Sequence, residues 1–390
     1  MQQKTIRRIF PLAATAMAAL LASGAALAQE VVKLGYTGPL SGGAALYGKN
    51  VLSGIQMAVD EINAKGLEVG GKKVKLEVVS LDDKYSPADA AINARRLVQQ
   101  YKTPAVFVPH SGGIFALQAF NEQEKFLVMA YSSVPRITDV GNKLTIRIPP
   151  AYTGYIEPFI KAEMKRFGKN VALAPADHDY AKAWVQAFVP AWEAAGGKVV
   201  ANNPMSYTKA TDFYSGVSRV LADKPDVMFV GGPSEPTALV VKQARELGFK
   251  GGFIVMDQAK LDEMAKVTNG LAMLEGSIGV LPLVNDARPA AQAFNGRYKK
   301  LHDGKDATTE MSLNYTMVYA LAGAMKLAGT TSDATAIRAK LPDAVKTMAK
   351  EANPNEVEGI DAKGGTVADT IVGVVQGGKI AQVRLSELGK

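Results

Sequence analysis

Four short stretches of this chain bring together small hydroxyl-bearing, amide-rich and acidic residues of the kind that can hold a charged small molecule. They are His110-Ser111-Gly112-Gly113, Tyr131-Ser132-Ser133-Val134-Pro135, Gly231-Gly232-Pro233-Ser234-Glu235 and Asp257-Gln258. Serine and glycine let backbone amides approach a carboxylate, and a lone aspartate can take a ligand ammonium. The same residue types dominate ordinary turns and caps, so local composition alone reads all four as loops, with Asp257 capping a helix that begins near Ala259. Other chemistries find less material. The chain has no cysteine, which removes thiol nucleophiles, cysteine-bound zinc and disulfides, and its three histidines make a multi-histidine metal centre hard to assemble. Gly66 to Lys72 has the glycine and lysine spacing of a phosphate loop, but Lys73 stands where a Ser or Thr must hold magnesium, and a strand follows rather than a helix. No G-x-S-x-G, H-E-x-x-H or G-x-G-x-x-G signature occurs in a fitting context. Asp177-His178-Asp179 suggests metal or acid–base work, yet consecutive residues rarely converge on one ion, and Asp179 reads as the N-cap of the next helix. The residues thus offer no catalytic set, no metal site and no cofactor motif.

The polar stretches need elements to position them. Residues 31–36 read as a strand, followed by a turn-rich loop and a helix over 47–64 that ends at Gly66. A strand over 73–81, a helix over 88–101, a short strand at 105–108, a helix over 114–125 and a strand at 126–130 continue the alternation. It restarts with a helix at 153–167 and runs through strands at 171–174, 198–202, 226–230 and 252–256. A strand at 278–283, helices at 289–301 and 313–327, and a hairpin turning at Gly377-Gly378 close the chain. This pattern implies an α/β fold with mainly parallel sheets covered by helices, and the dip at Arg147-Ile148-Pro149-Pro150 marks a crossing between two lobes. All four polar stretches then follow strands, where open α/β sheets bind ligands.

Composition fits a soluble globular protein: 47% hydrophobic, 21% charged, mean hydropathy +0.02 over 390 residues. Lys4, Arg7 and Arg8 precede an apolar run, and Ala26-Leu27-Ala28 supplies an A-x-A cleavage site, the pattern of a secretory signal peptide over residues 1–28. Its removal leaves 362 residues with a charge of +5, too dilute to argue for nucleic acid. The expected location is the periplasm.

The order and spacing of several motifs resemble the leucine/isoleucine/valine-type periplasmic binding proteins. They are Gly38-Pro39-Leu40-Ser41-Gly42, Tyr47-Gly48, Gly54-x-x-x-Ala58-x-x-Glu61-Ile62-Asn63-x-x-Gly66, Asp82-Asp83, Pro87, Phe229-Val230-Gly231-Gly232 and Gln243-Ala244-Arg245-x-x-Gly248. The resemblance implies a type I fold of two α/β lobes joined by three hinge crossings, with residues 30–148 and 278–355 in lobe one and 149–277 and 356–390 in lobe two. It implies a monomeric receptor that traps its solute in the cleft and delivers it to an ABC permease. Carried over by position, Ser111, Ser132 and Ser133 hold a ligand carboxylate and its neighbouring atoms, Tyr47 and Tyr180 face the cleft, and Asp257 pairs with an ammonium. Pro233-Ser234-Glu235 departs from the aromatic residues of branched-chain receptors, which brings Ser234 and Glu235 into the expected ligand-binding set. The expected ligand is a small amino acid or related carboxylate; the alternative is an aromatic or other organic acid. A sensory module and a periplasmic hydrolase or isomerase, for which only Asp177–Asp179 speaks, are the other classes. Mass spectrometry of the exported protein is expected to find Gln29 at the N-terminus; a membrane-bound product that keeps Met1 contradicts the leader.

Overall fold

Fully buried apolar runs set two sheets, described here from a computed structural model over residues 29–368 and 370–388. The expected leader, 1–28, lies outside the described residues. The first sheet holds β1 (Glu30–Gly38), β2 (Leu67–Val69), β3 (Lys72–Asp82), β4 (Ala105–Val108), β5 (Leu127–Ala130) and β6 (Thr145–Arg147) in the order β2-β3-β1-β4-β5-β6. All pairs are parallel except the β2–β3 hairpin. Every residue of β4 and β5 is buried, as strands covered on both faces require.

The second sheet takes β7 (Asn170–Pro175), β8 (Lys198–Asn202), β9 (Val227–Gly231), β10 (Gly252–Val255) and β11 (Ser277–Val280). After a small hairpin of β12 (Gly359–Ile360) and β13 (Thr366–Val367), it is completed by β14 (Ile371–Gln376) and β15 (Lys379–Arg384), giving β15-β14-β11-β10-β9-β7-β8. The β14–β15 turn is Gly377-Gly378, both with positive φ, which glycine adopts without a Cβ penalty.

Several expectations shift. The helix expected over 114–125 is two helices, Ser111–Gln118 and Asn121–Glu124, because Phe120 leaves helical geometry and packs its ring on Phe126, 5.6 Å away. The strand expected over 278–283 ends at Val280, before Pro282, which has no N–H to continue a ladder. β11 pairs with β10 and β14, so residues 277–280 belong with the second sheet, and the chain crosses back only beyond them rather than at 278. The β12–β13 hairpin stays with the first sheet rather than joining lobe two at 356. Arg147 N–H donates to the Gly364 carbonyl at 2.9 Å, and the Thr366 hydroxyl donates to the Ile148 carbonyl at 2.6 Å. Gly66–Lys72 forms the β2–β3 hairpin, with no helix to receive a phosphate.

Lobe one is braced by the long helices Ala45–Lys65 and Thr309–Ala328, which touch where Gly54 meets Met311. A Cβ at Gly54 would run into the Met311 carbonyl, so the close approach depends on glycine. Gly296, on the exposed face of Pro289–Leu301, has open space around its missing Cβ. Gly54→Ala should cost about 1–3 kcal/mol of stability through overpacking. Gly296→Ala should gain about 0.5–1 kcal/mol through helix propensity. Chemical denaturation of both variants checks the opposite signs.

Candidate functional site

Each sheet changes winding direction once, between β1 and β4 in the first and between β7 and β9 in the second. Loops leaving neighbouring strands diverge at such points and open a crevice beyond the strands' carboxyl ends. The two crevices face one another, and one cleft results. It is lined from lobe one by Tyr47, Tyr85, His110, Ser111, Tyr131, Ser132 and Ser133, and from lobe two by Tyr180, Asp257, Gln258 and Lys260, with Pro109 and Pro149 at its edges. The free cavity left between them is about 30 Å³, room for a water or two.

The lobe-one wall is organised by Asp82, the last residue of β3, and Asp83, which follows it. Asp82 accepts from the Leu40 and Lys84 amides at 2.8 and 2.9 Å and from the Ser41 hydroxyl at 2.6 Å. These donors hold its carboxyl below the usual carboxylate range against the opposing effect of burial. Asp83, with no exposed surface, accepts from Thr37 Oγ1 (3.1 Å), His110 Nε2 (2.9 Å) and the Tyr85 amide (2.9 Å). His110 Nδ1 accepts from the Gly113 amide at 3.0 Å, which leaves the ring proton on Nε2 and caps helix Ser111–Gln118. The first amides of that helix have no intrahelical acceptor and can serve a carboxylate. Ser111 Oγ lies 2.8 Å from Ser132 Oγ, so the ends of β4 and β5 present a hydroxyl pair beside them. Tyr47 donates to the Tyr131 carbonyl at 3.5 Å, with the two rings 6.0 Å apart.

Across the cleft, His178 rather than Asp179 caps helix Asp179–Ala194, accepting from the Ala181 amide at 3.3 Å. Burial pushes the His178 imidazole down to about 3, so it is neutral at physiological pH. Asp179 pairs with Lys182 at 3.6 Å, and among the described residues no group of His, Cys, Asp and Glu could hold a metal ion. Trp184 Nε1 donates to Tyr180 Oη at 2.9 Å and to Asp257 Oδ1 at 3.2 Å, its indole stacked on Tyr152 at 4.6 Å. Ser133 reaches over from lobe one, 3.2 Å from Tyr180 Oη and hydrogen-bonded to Asp257. Asp257 does not cap a helix: the next one begins at Leu261, with Lys260 in the cap position. Burial drives its carboxyl up to about 6, against the lowering effects of Ser133 and Lys260.

Six of the eight residues singled out in the sequence therefore share the cleft. Ser234 and Glu235 do not line it. Ser234 is buried, donating to Glu263 at 2.5 Å and accepting the Lys260 amide at 3.0 Å, while Glu235 is exposed in the first turn of helix Ser234–Glu246. The reason is helical phase: one residue past the strand-end turn, Glu235 faces outward while Ser234 faces in. His110, Tyr131 and Gln258, which belong to the strand-end polar stretches but were given no role of their own, also line the cleft. The sequence reading missed Tyr85 and Lys260, and no spacing pointed to Tyr85. Beneath the cleft, Lys260 donates to the Asp257 and Gln258 carbonyls at 2.6 and 3.2 Å and approaches Glu310 at 3.8 Å. Asn50 bridges Glu263 and Glu310 at 2.5 and 3.1 Å. Burial and the neighbouring Glu310 push the Glu263 carboxyl to about 8.

A family model described as periplasmic binding protein matches residues 31–377. An amino acid binding protein of Pseudomonas aeruginosa is 28% identical over 351 residues, covering 86% of this chain and 88% of that protein. A Leu/Ile/Val-binding protein of Rhizobium johnstonii is 28% identical over 85% of this chain and 88% of its own length. Among solved structures, the branched-chain amino acid transporter substrate-binding protein of Streptococcus pneumoniae, in complex with isoleucine, is similar with a TM-score of 0.75 and 24% identity, covering 91% and 99% of the two chains. A solute-binding protein of an R. palustris ABC transporter, in complex with benzoate, gives 0.75 and 18%, covering 92% and 99%.

The raised pKa of Asp257 means that its ionised form is the unfavourable one in the fold. That stability is complete below the ordinary carboxylate range and is lost as pH rises through about 6. Asp257→Asn should therefore raise the unfolding free energy at pH 8 by about 1–3 kcal/mol and leave it nearly unchanged near pH 4. Calorimetric melting at the two pH values checks this.

Proposed function

The chain belongs to the periplasmic binding protein family, a family of substrate-binding proteins rather than enzymes, and on that premise we propose that it is a receptor for a small amino acid or closely related carboxylate. The observation that carries this reading is the placing of unlike groups on consecutive residues. Ser132 joins Ser111 in a hydroxyl pair beside a helix N-terminus, and Ser133 bonds the Asp257 carboxylate. An α-amino acid carries its carboxylate and ammonium on one carbon, so its receptor needs an anion site and a carboxylate within a few ångströms. Among the described residues no arginine lines the cleft, and hydroxyl and backbone donors take the carboxylate as neutral partners.

The second reading, an aromatic or other organic acid, is favoured by the four tyrosines, Tyr47, Tyr85, Tyr131 and Tyr180, that line the cleft, and by the benzoate-bound relative. In either reading the protein works in the periplasm as a monomer and hands its solute to an ABC permease; no helix among the described residues is long and apolar enough to cross a membrane. A thermal-shift screen over amino acids and organic acids identifies the ligand class, since a tight ligand stabilises the folded state by mass action. For an amino acid, Asp257→Ala is expected to cost about 2–5 kcal/mol of binding, roughly 30-fold to several thousand-fold in Kd by titration calorimetry. Wild-type affinity should also fall as pH drops through about 6, where Asp257 takes up a proton. Unchanged affinity in the Ala variant moves the organic-acid reading ahead.

A further inference from the structure

Tyr85 sits in a backbone state that a bulky residue adopts only when held there. Lys84 and Tyr85 both have left-handed φ, 53° and 66°, and the Asp82 and Asp83 carboxylates fix them by accepting their amides at 2.9 Å. The phenol ring is clamped between His110, stacked with ring centroids 4.7 Å apart, and His178 at 5.2 Å. This delivers Tyr85 Oη to the cleft, where Gln258 Nε2 donates to it at 2.8 Å from the other lobe. Tyr85 Oη accepts in that bond, so its proton is free to be donated. Gln258 is 94% buried, and its other amide atom, Oε1, has no partner in the protein. A buried, unpaired acceptor is costly unless something bonds to it.

We infer that Tyr85 and Gln258 form a side-chain subsite that reads a hydroxyl or carboxamide group on the ligand, so that the solute is a small polar amino acid rather than a branched aliphatic one. The inference rests on the amino-acid reading above. Gln258 follows Asp257 directly, so the subsite adjoins the group assigned to the ammonium. A hydroxyl or carboxamide can take the phenol proton and donate to Oε1, whereas an alkyl group of the same shape leaves both unpaired.

Titration calorimetry with matched ligands tests it. Threonine against valine and asparagine against leucine differ in polar atoms at nearly constant shape; 3-hydroxybutyrate against 3-methylbutyrate repeats the first comparison without the ammonium. The wild type should prefer the polar member by roughly 10- to 100-fold. Tyr85→Phe, which keeps the stacked ring, and Gln258→Leu should each shrink that preference to about threefold or less by weakening the polar member alone. Equal weakening of both members would make the pair a mere tie between lobes and overturn the inference. Absence of a wild-type preference in every pair overturns it too. If the desamino acids bind as well as the amino acids and the polar preference persists, the ammonium assignment fails while the subsite stands.

Discussion

Burying a carboxylate is costly unless donors surround it, and Asp83, with no exposed surface, is surrounded by three. Its three donors come from the end of β1, from the Asp82–Tyr85 loop and from the residue that caps the helix after β4. One buried side chain therefore fixes the relative positions of three segments that leave the first sheet. The His110 tautomer follows from it, and with the tautomer the cap on helix Ser111–Gln118. Ser111, the amides beside it and the left-handed backbone of Tyr85 take their positions from it, and the rings of His110 and His178 then hold the phenol. The second lobe has a looser counterpart in Trp184, whose single N–H is shared between Tyr180 and Asp257.

Much of this architecture was legible in the sequence because it rests on local rules. Strands such as the buried β4 and the edge strand β8 were bounded to the residue, and the strand-end positions of Ser111, Ser132, Ser133 and Asp257 followed from alternation and the rule for parallel sheets. What escaped depends on distant residues. Tyr85 reaches the cleft only because two carboxylates hold it at positive φ, which no propensity encodes. β6 is three residues long and marked by no periodicity. The β12–β13 hairpin belongs to lobe one through hydrogen bonds to Arg147 and Ile148, residues more than two hundred positions away. Glu235 was drawn into the site by its departure from the aromatic pattern of branched-chain receptors, while a single step of helical phase turns it to solvent.

The contact between the lobes buries three ionisable groups together. Lys260 and Glu263 come from the second lobe and Glu310 from the first, all nearly fully buried, with Asn50 bridging the two acids. A proton retained on Glu263 lowers the charge that must be desolvated when these surfaces meet. Such a network constrains the approach of the lobes more than an apolar seam would, because each polar atom must find its partner at a set distance and angle.

The chain has only two tryptophans, and they occupy unlike surroundings. Trp192 is sealed in the second lobe, donating to the Lys169 carbonyl at 3.0 Å. Trp184 is equally buried but rests its indole N–H on the carboxylate that closes the cleft. Indole emission responds to nearby charge, because the excited state has a larger dipole than the ground state. The native protein thus carries its own optical gauge: one fluorophore tuned by the charge on Asp257, and a second in the same lobe as an internal standard.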